Sequence, residues 1–196
     1  MRSDALLQIV LGAILLSVIG IRLYYMRSMR LPSKGRQGRG VKVSLRFRLG
    51  MLCGFALIAT ALVNPAWMSW SCLPLPLALR WCGAVLGVLA VCLLFWVHHS
   101  LGKNFSPQLR IRQEHALCTS GLYQWVRHPM YTILFMLSIA WLVGLANWLV
   151  GVFWLTIQTI VIGKRIDREE AELLEHFGDE YRAYMKRTGR FLPRLR

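Results

Sequence analysis

The run from residue 129 to residue 163 holds 35 amino acids and no charged side chain. As a single helix rising about 1.5 Å per residue it would be ~52 Å long, far beyond the ~30 Å hydrocarbon core of a bilayer. Two halves of about 17 residues each just cross that core. The run therefore predicts a tight helical hairpin, with its turn at Ala146-Asn147-Trp148 and both ends on one side of the membrane. Residues 5–21 form another apolar run, and residues 49–79 are also free of charge. There Asn64-Pro65 ends a helix, and Pro74 and Pro76 keep the following turn irregular. Residues 81–97 give the next span. The short alternating segments of a transmembrane barrel are absent. The expected fold class is all-α: a polytopic membrane protein with about five transmembrane helices and a cytoplasmic C-terminal amphipathic helix.

The balance of charge sets the orientation. The net charge is +15 although only 17% of residues are charged, a pattern that in a soluble domain would suggest nucleic acid. Here residues 27–48 carry eight basic residues and no acid, and the positive-inside rule assigns that loop to the cytoplasm. Nucleic acid is accordingly not an expected partner, whereas anionic membrane lipid is. The N-terminus then lies outside, and the C-terminus inside. A signal peptide would need a small-x-small cleavage site after residue 21, and none is apparent. Trp67 and Trp70 suit the outer interface, and Arg80 is expected to snorkel outward. His98 and His99 are adjacent, so they point to different helix faces and make a poor metal pair, although one of them could line a site. The five cysteines show no metal-ligand spacing, so neither metal nor disulfide is expected. The chain divides into N-terminal helices with a basic loop over 1–97 and a polar-and-hairpin region over 98–196. In the tail, Leu174, Phe177, Tyr181 and Met185 recur at helical spacing, and Gly178-Asp179 predicts a break between two amphipathic pieces.

Two clusters carry chemistry. The first is His115–Tyr131, HALCTSGLYQWVRHPMY, a polar island between apolar runs. Gly121 permits close backbone approach, and Tyr123 and Tyr131 offer aromatic walls with a hydroxyl. Pro129 suits the first turn of the following helix, whose N–H groups can meet an anionic group. An interfacial loop, with Arg127 and His128 touching lipid phosphates, explains the same composition nearly as well. The second cluster is Arg165 with Glu169, four residues apart and directly after the hairpin. It can hold a carboxylate, or it can be a surface ion pair worth under ~1 kcal/mol.

GLYQWVRHPMY preceded by His115, followed by RIDREE and FGDEYRAYMKRTGRFLP, resembles the isoprenylcysteine carboxyl methyltransferases and their short prokaryotic relatives over about residues 98–196. The resemblance implies a methyl donor, S-adenosyl-L-methionine, held on the cytoplasmic side, and a lipophilic acceptor, the carboxylate of a prenylated cysteine or its mimic, entering from lipid. It implies cofactor contacts at Gln108, His115, Ala116, Leu117, Cys118, Tyr123, His128, Pro129, Met130, Tyr131 and Glu169. Arg165 would hold the acceptor carboxylate and, with Glu169, form the catalytic pair. The likeness to the short relatives implies a prokaryotic inner membrane. Other readings of the same motifs are an NADPH-dependent membrane reductase of the sterol type, a thiol or lipid-amine methyltransferase, and a lipid-binding membrane protein without enzymatic activity. Oligomeric state is not readable. The orientation has a direct check: a cysteine placed at Ser33, in the basic loop, should react with a membrane-impermeant thiol label only from the cytoplasmic side.

Overall fold

The computed structural model of the chain describes residues 2–28, 45–101 and 117–194. Within them lie five α-helices: α1 (Arg2–Ser28), α2 (Leu45–Val63), α3 (Leu77–Leu101), α4 (Pro129–Gly144) and α5 (Trp148–Arg187). Short 3-10 turns occupy Pro65–Ser71 and Gly121–Gln124. No strand occurs among the described residues; two isolated bridges, Cys72 with Asn147 and Val126 with Gly189, tie loops together. The all-α polytopic class is as expected. By length and hydropathy α1, α3 and α5 can each cross a membrane, and α2 with the turn over Pro65–Ser71, bent by 113° from it, makes a fourth candidate if the pair counts as one span, against the five expected. The fifth apolar helix, α4, has 16 residues, about 24 Å, and is short for a crossing.

Contacts order the helices end to end. Asp4 of α1 meets Arg80 of α3 at 3.4 Å, Ile14 lies over Gly87, and the Tyr25 ring sits 4.8 Å from that of His98. So α1 and α3 run parallel. Gly83 of α3 faces Gly144 of α4, and Gly87 faces Ala140, so α3 and α4 are antiparallel. The last residues of α1 and α3 and the first of α4 thus gather at one end, together with the outgoing half of α5. The core between the helices is apolar, from Leu7 and Leu11 through Leu94 and Val97 to Ile133, Leu137 and Trp154.

The hairpin turn is tighter than expected, because Trp148 already belongs to α5. Ala146 takes φ 50°, and Asn147 caps α5 by accepting from the Val150 N–H at 3.1 Å. The Asn147 amide also donates to Ser71 Oγ at 2.7 Å, and Leu73 N–H donates to the Ala146 carbonyl at 2.6 Å, which anchors the turn to the chain before α3. Arg80 corrects the expectation of simple snorkelling. Besides Asp4, its Nε reaches the Gly144 carbonyl at 3.4 Å, so a cation offsets the carbonyl end of α4. The largest difference lies in α5. It does not stop at the end of the apolar stretch but continues to Phe177 before breaking at Gly178, where φ is 52° and ψ −121°. Those 30 residues span about 45 Å, so the charged part projects from the apolar part as one rigid rod.

Close approach of α3 and α4 depends on Gly83. A Cβ there would lie 2.4 Å from the Gly144 backbone nitrogen, which cannot move aside without shifting the helix. Gly83→Ala should destabilise the protein by on the order of 1–3 kcal/mol. Gly12→Ala, where nothing lies within 4 Å, should be neutral or stabilising. Thermal unfolding of both variants in one detergent checks this, and equal midpoints would refute the tight α3–α4 contact.

Candidate active site

Beyond the apolar end of α5, the helix carries Arg165, Glu169 and Glu170 within little more than one turn. Adjacent residues on a helix point about 100° apart, so the two glutamates have different main partners and meet only at His128. Glu169 Oε1 accepts from the Tyr131 hydroxyl at 2.5 Å and from Arg165 Nη2 at 3.2 Å. Its other oxygen stands 3.8 Å from His128 Nδ1. The expected i,i+4 pair therefore exists, and it is no simple surface pair, because Tyr131 of α4 joins it. Arg165 Nε is buried and has no hydrogen-bond partner among the described residues.

Glu170 binds the polar loop instead. Its Oε1 accepts from Arg127 Nε at 3.2 Å and pairs with His128 Nε2 at 3.1 Å, and its Oε2 accepts from Arg190 Nη2 at 2.8 Å. Arg127 Nη1 also donates to the carbonyls of Met185 and Thr188, at 3.1 and 2.6 Å. Here the structure overturns the reading of Arg127 and His128 as lipid-phosphate contacts: both are largely buried and committed to Glu170. The tail returns along the loop as a parallel strip. Gly189 N–H donates to the Trp125 carbonyl, Arg127 N–H to that of Gly189 and His128 N–H to that of Arg190. The Thr132 hydroxyl donates to the Phe191 carbonyl at 2.7 Å, and Tyr184 OH donates to the Tyr123 carbonyl at 2.6 Å.

Burial opposes ionisation of Glu170, but the hydrogen bonds from Arg190, His128 and Arg127 prevail and hold its carboxyl below the ordinary value. Burial lowers His128 in spite of both glutamates, so its ring is neutral at physiological pH. Burial raises the hydroxyls of Tyr123 and Tyr184, and that of Tyr181 to about 12. A neutral tyrosine beside a glutamate, as Tyr131 is beside Glu169, acts as a hydrogen-bond donor, not as a base.

Among the expected contacts, Tyr131, His128, Arg165 and Glu169 come together. Pro129 and Met130 open α4 directly beside them. Leu117 and Cys118 are half-buried, and Cys118 Sγ faces the Ser100 carbonyl of α3 at 3.7 Å. Gln108, His115 and Ala116 lie outside the described residues. Gly121 has φ +60°, and a Cβ would lie 2.4 Å from Ser100 Oγ, so the close approach expected there is backbone against α3. His98 is buried with its Nδ1 2.8 Å from the Leu94 carbonyl, whereas His99 is exposed and stacks on Phe95, so the pair does diverge. Sequence reasoning assigned no role to Glu170, Arg190 or Tyr184. The Glu-Glu doublet was the available signal, since neighbouring helical glutamates point about 100° apart and so reach different sets of partners.

The isoprenylcysteine carboxyl methyltransferase (ICMT) family model matches residues 83–175, which include Arg127, His128, Tyr131, Arg165 and both glutamates. Over that region, a little under half of its length, the chain is similar to the ICMT family. Protein-S-isoprenylcysteine O-methyltransferase from Mus musculus is 34% identical over 113 residues, covering 57% of this chain and 40% of the mouse protein. The enzyme of the same name from Dictyostelium discoideum is 31% identical over 133 residues, covering 65% of this chain and 55% of its own length. A solved structure of a eukaryotic intramembrane Ras methyltransferase, ICMT, superposes with a TM-score of 0.59 at 25% identity, over 78% of this chain and 54% of that one. The chain thus spans about half the length of the ICMT relatives it matches.

Acid should loosen the tail. His128 and Glu170 both have folded values below their ordinary ones of 6.5 and 4.5, so each contributes stability above that value and loses it as pH falls. The protection factor of the Gly189 amide against hydrogen exchange should drop from pH 6.5 downward and again below about pH 4.5. His128→Asn should remove the upper step. Protection that stays flat from pH 7.5 to 4 would contradict the tail's dependence on these groups.

Proposed function

We propose that the chain is an integral-membrane, S-adenosylmethionine-dependent methyltransferase whose acceptor is the carboxylate of a prenylated cysteine or a mimic of it. The observation that carries the reading is the junction at Glu169. One carboxylate oxygen joins Tyr131, from the cofactor-like motif, to Arg165, the proposed acceptor-binding arginine.

The side chains fit both groups. S-adenosylmethionine, when bound, supplies an electrophilic methyl on a cationic sulfonium. A partly buried Glu169 suits a cationic ligand, and Tyr131, bonded to it, gives an aromatic surface. Arg165, with a buried Nε that lacks a partner, suits an anion. A carboxylate is already a nucleophile at neutral pH, so the protein need not remove a proton. Its contribution is positioning, which can be worth about 7–11 kcal/mol. Arg165 would orient the acceptor oxygen, and its bond to Glu169 would moderate the grip, since too strong a donor blunts a nucleophile. The apolar helices would hold the prenyl chain and keep water from the reacting atoms.

The site would face the cytoplasm, with the N-terminus outside, in a prokaryotic inner membrane. The basic loop over 27–48 supports that orientation. The end-to-end helix contacts support its lying on the same side as Arg165 and Glu169.

Radiolabelled methyl transfer to acetylated farnesylcysteine, to small thiols and to phosphatidylethanolamine, with purified protein in vesicles, tests the reading. Only the farnesylcysteine should be labelled. Arg165→Lys keeps the charge but loses the planar fork, and should slow that reaction about 100-fold. Glu169→Gln should weaken binding of S-adenosylhomocysteine in calorimetry. Label on thiols or on the lipid amine alone would reassign the acceptor. Binding of NADPH without S-adenosylhomocysteine would remove the methyltransferase reading altogether.

A further inference from the structure

We propose that Arg22 of α1 is a second acceptor-binding arginine, which grips the acceptor carboxylate together with Arg165. The inference rests on the acceptor being a carboxylate, as proposed above. Arg22 lies ahead of the region matched by the ICMT family model, which begins at residue 83.

Its placement follows from the helix ladder. Asp4 marks one end of α1 against Arg80, and Tyr25 marks the other against His98 and Phe95. Arg22 is one helical turn before Tyr25, at the end where Tyr131 and Arg165 stand. Its guanidinium is within electrostatic reach of both. A charged side chain in so apolar a helix is costly unless it pairs or lines a polar cavity. Among the described residues Arg22 makes no hydrogen bond and no ion pair.

Counting charge around Arg22 gives an imbalance. Arg22 and Arg165 are two fixed cations. The carboxylate at hand is Glu169, whose Oε1 is already divided between Tyr131 and Arg165. Glu170 is saturated by Arg127, His128 and Arg190. Asp167 is bound to Arg190, and Asp4 lies at the far end with Arg80. Among the described residues one positive charge is left over, and Arg165 keeps a buried N–H without a partner. Two guanidiniums with one carboxylate between them lack one more anion. A carboxylate arriving from the membrane would meet Arg22 on the apolar side and Arg165 on the polar side. Each arginine can offer paired N–H donors, so two of them fix both the position and the plane of the group.

The experiment compares wild type with Arg22→Gln and Arg22→Lys in vesicles, by methyl transfer to acetylated farnesylcysteine and by calorimetry with S-adenosylhomocysteine. Both variants are first checked for thermal midpoints close to wild type. Arg22→Gln should raise KM for the acceptor about ten- to hundredfold, with a smaller fall in kcat. Arg22→Lys should recover part of the loss, and S-adenosylhomocysteine affinity should hold. Direct binding of acetylated farnesylcysteine and its carboxamide gives a readout free of turnover. Wild type should prefer the carboxylate, and Arg22→Gln should lose most of that preference. An unaltered KM and an unaltered preference would overturn the proposal. So would a loss of S-adenosylhomocysteine affinity at constant acceptor KM, since the anion held would then be the cofactor's carboxylate. Wild-type protein that methylates no carboxylate acceptor would instead defeat the functional reading beneath it.

Discussion

At the polar end of this molecule, organisation depends on a carboxylate that no sequence argument singled out. Glu170 is buried and holds two arginines and a histidine. A carboxylate taken out of water survives only when such partners replace its hydration. By drawing Arg127 and His128 against α5, it brings the loop before α4 to a helix that rises out of the hairpin. By drawing in Arg190, it folds the tail over that loop. Glu169, one residue earlier, is then presented to Tyr131 and Arg165. The Tyr131–Glu169–Arg165 junction and the Glu170 clamp are thus built from neighbouring residues on one rigid rod, and distortion of either is felt by the other.

The rod itself explains how a short chain places a polar site at a membrane edge. If α5 had ended with its apolar stretch, Arg165 and Glu169 would sit on a flexible connection, and their spacing to Tyr131 would not be fixed. Instead the break comes at Gly178, well past the site, where a left-handed φ turns the chain back. Gly83 and Gly144 make the matching contribution within the apolar part: with no side chains between them, α3 and α4 approach closely, so Ser100 and Gly121 also meet.

Much of this was legible in the sequence. Hydropathy and length gave the hairpin, because 35 uncharged residues allow few other solutions. Four-residue spacing gave the Arg165–Glu169 pair, and glycine followed by aspartate gave the break at 178–179. What remained hidden has a common cause. The roles of Arg127, Glu170 and Arg190 rest on contacts between residues 20 to 61 positions apart, and neither periodicity nor propensity carries information at that range. Arg80 was misread for the same reason, since its partner Asp4 is 76 residues away. The polar content of 115–131 left ligand binding and lipid contact nearly even, yet part of it, Arg127 and His128 above all, is spent on holding the loop.

The returning tail sets an order of assembly. Residues 189–191 supply the backbone and carbonyl partners of the loop at 125–132, and they follow the whole hairpin in the chain. A ribosome therefore delivers every apolar helix to the membrane before the pieces that close the polar site exist. Insertion and site formation are separated in time: the first is driven by hydrophobicity helix by helix, while the second waits for a short segment that no bilayer needs. Until that segment arrives, the charged face of α5 and the loop stay open to water, and the protein can enter its membrane as a scaffold that is not yet competent to bind.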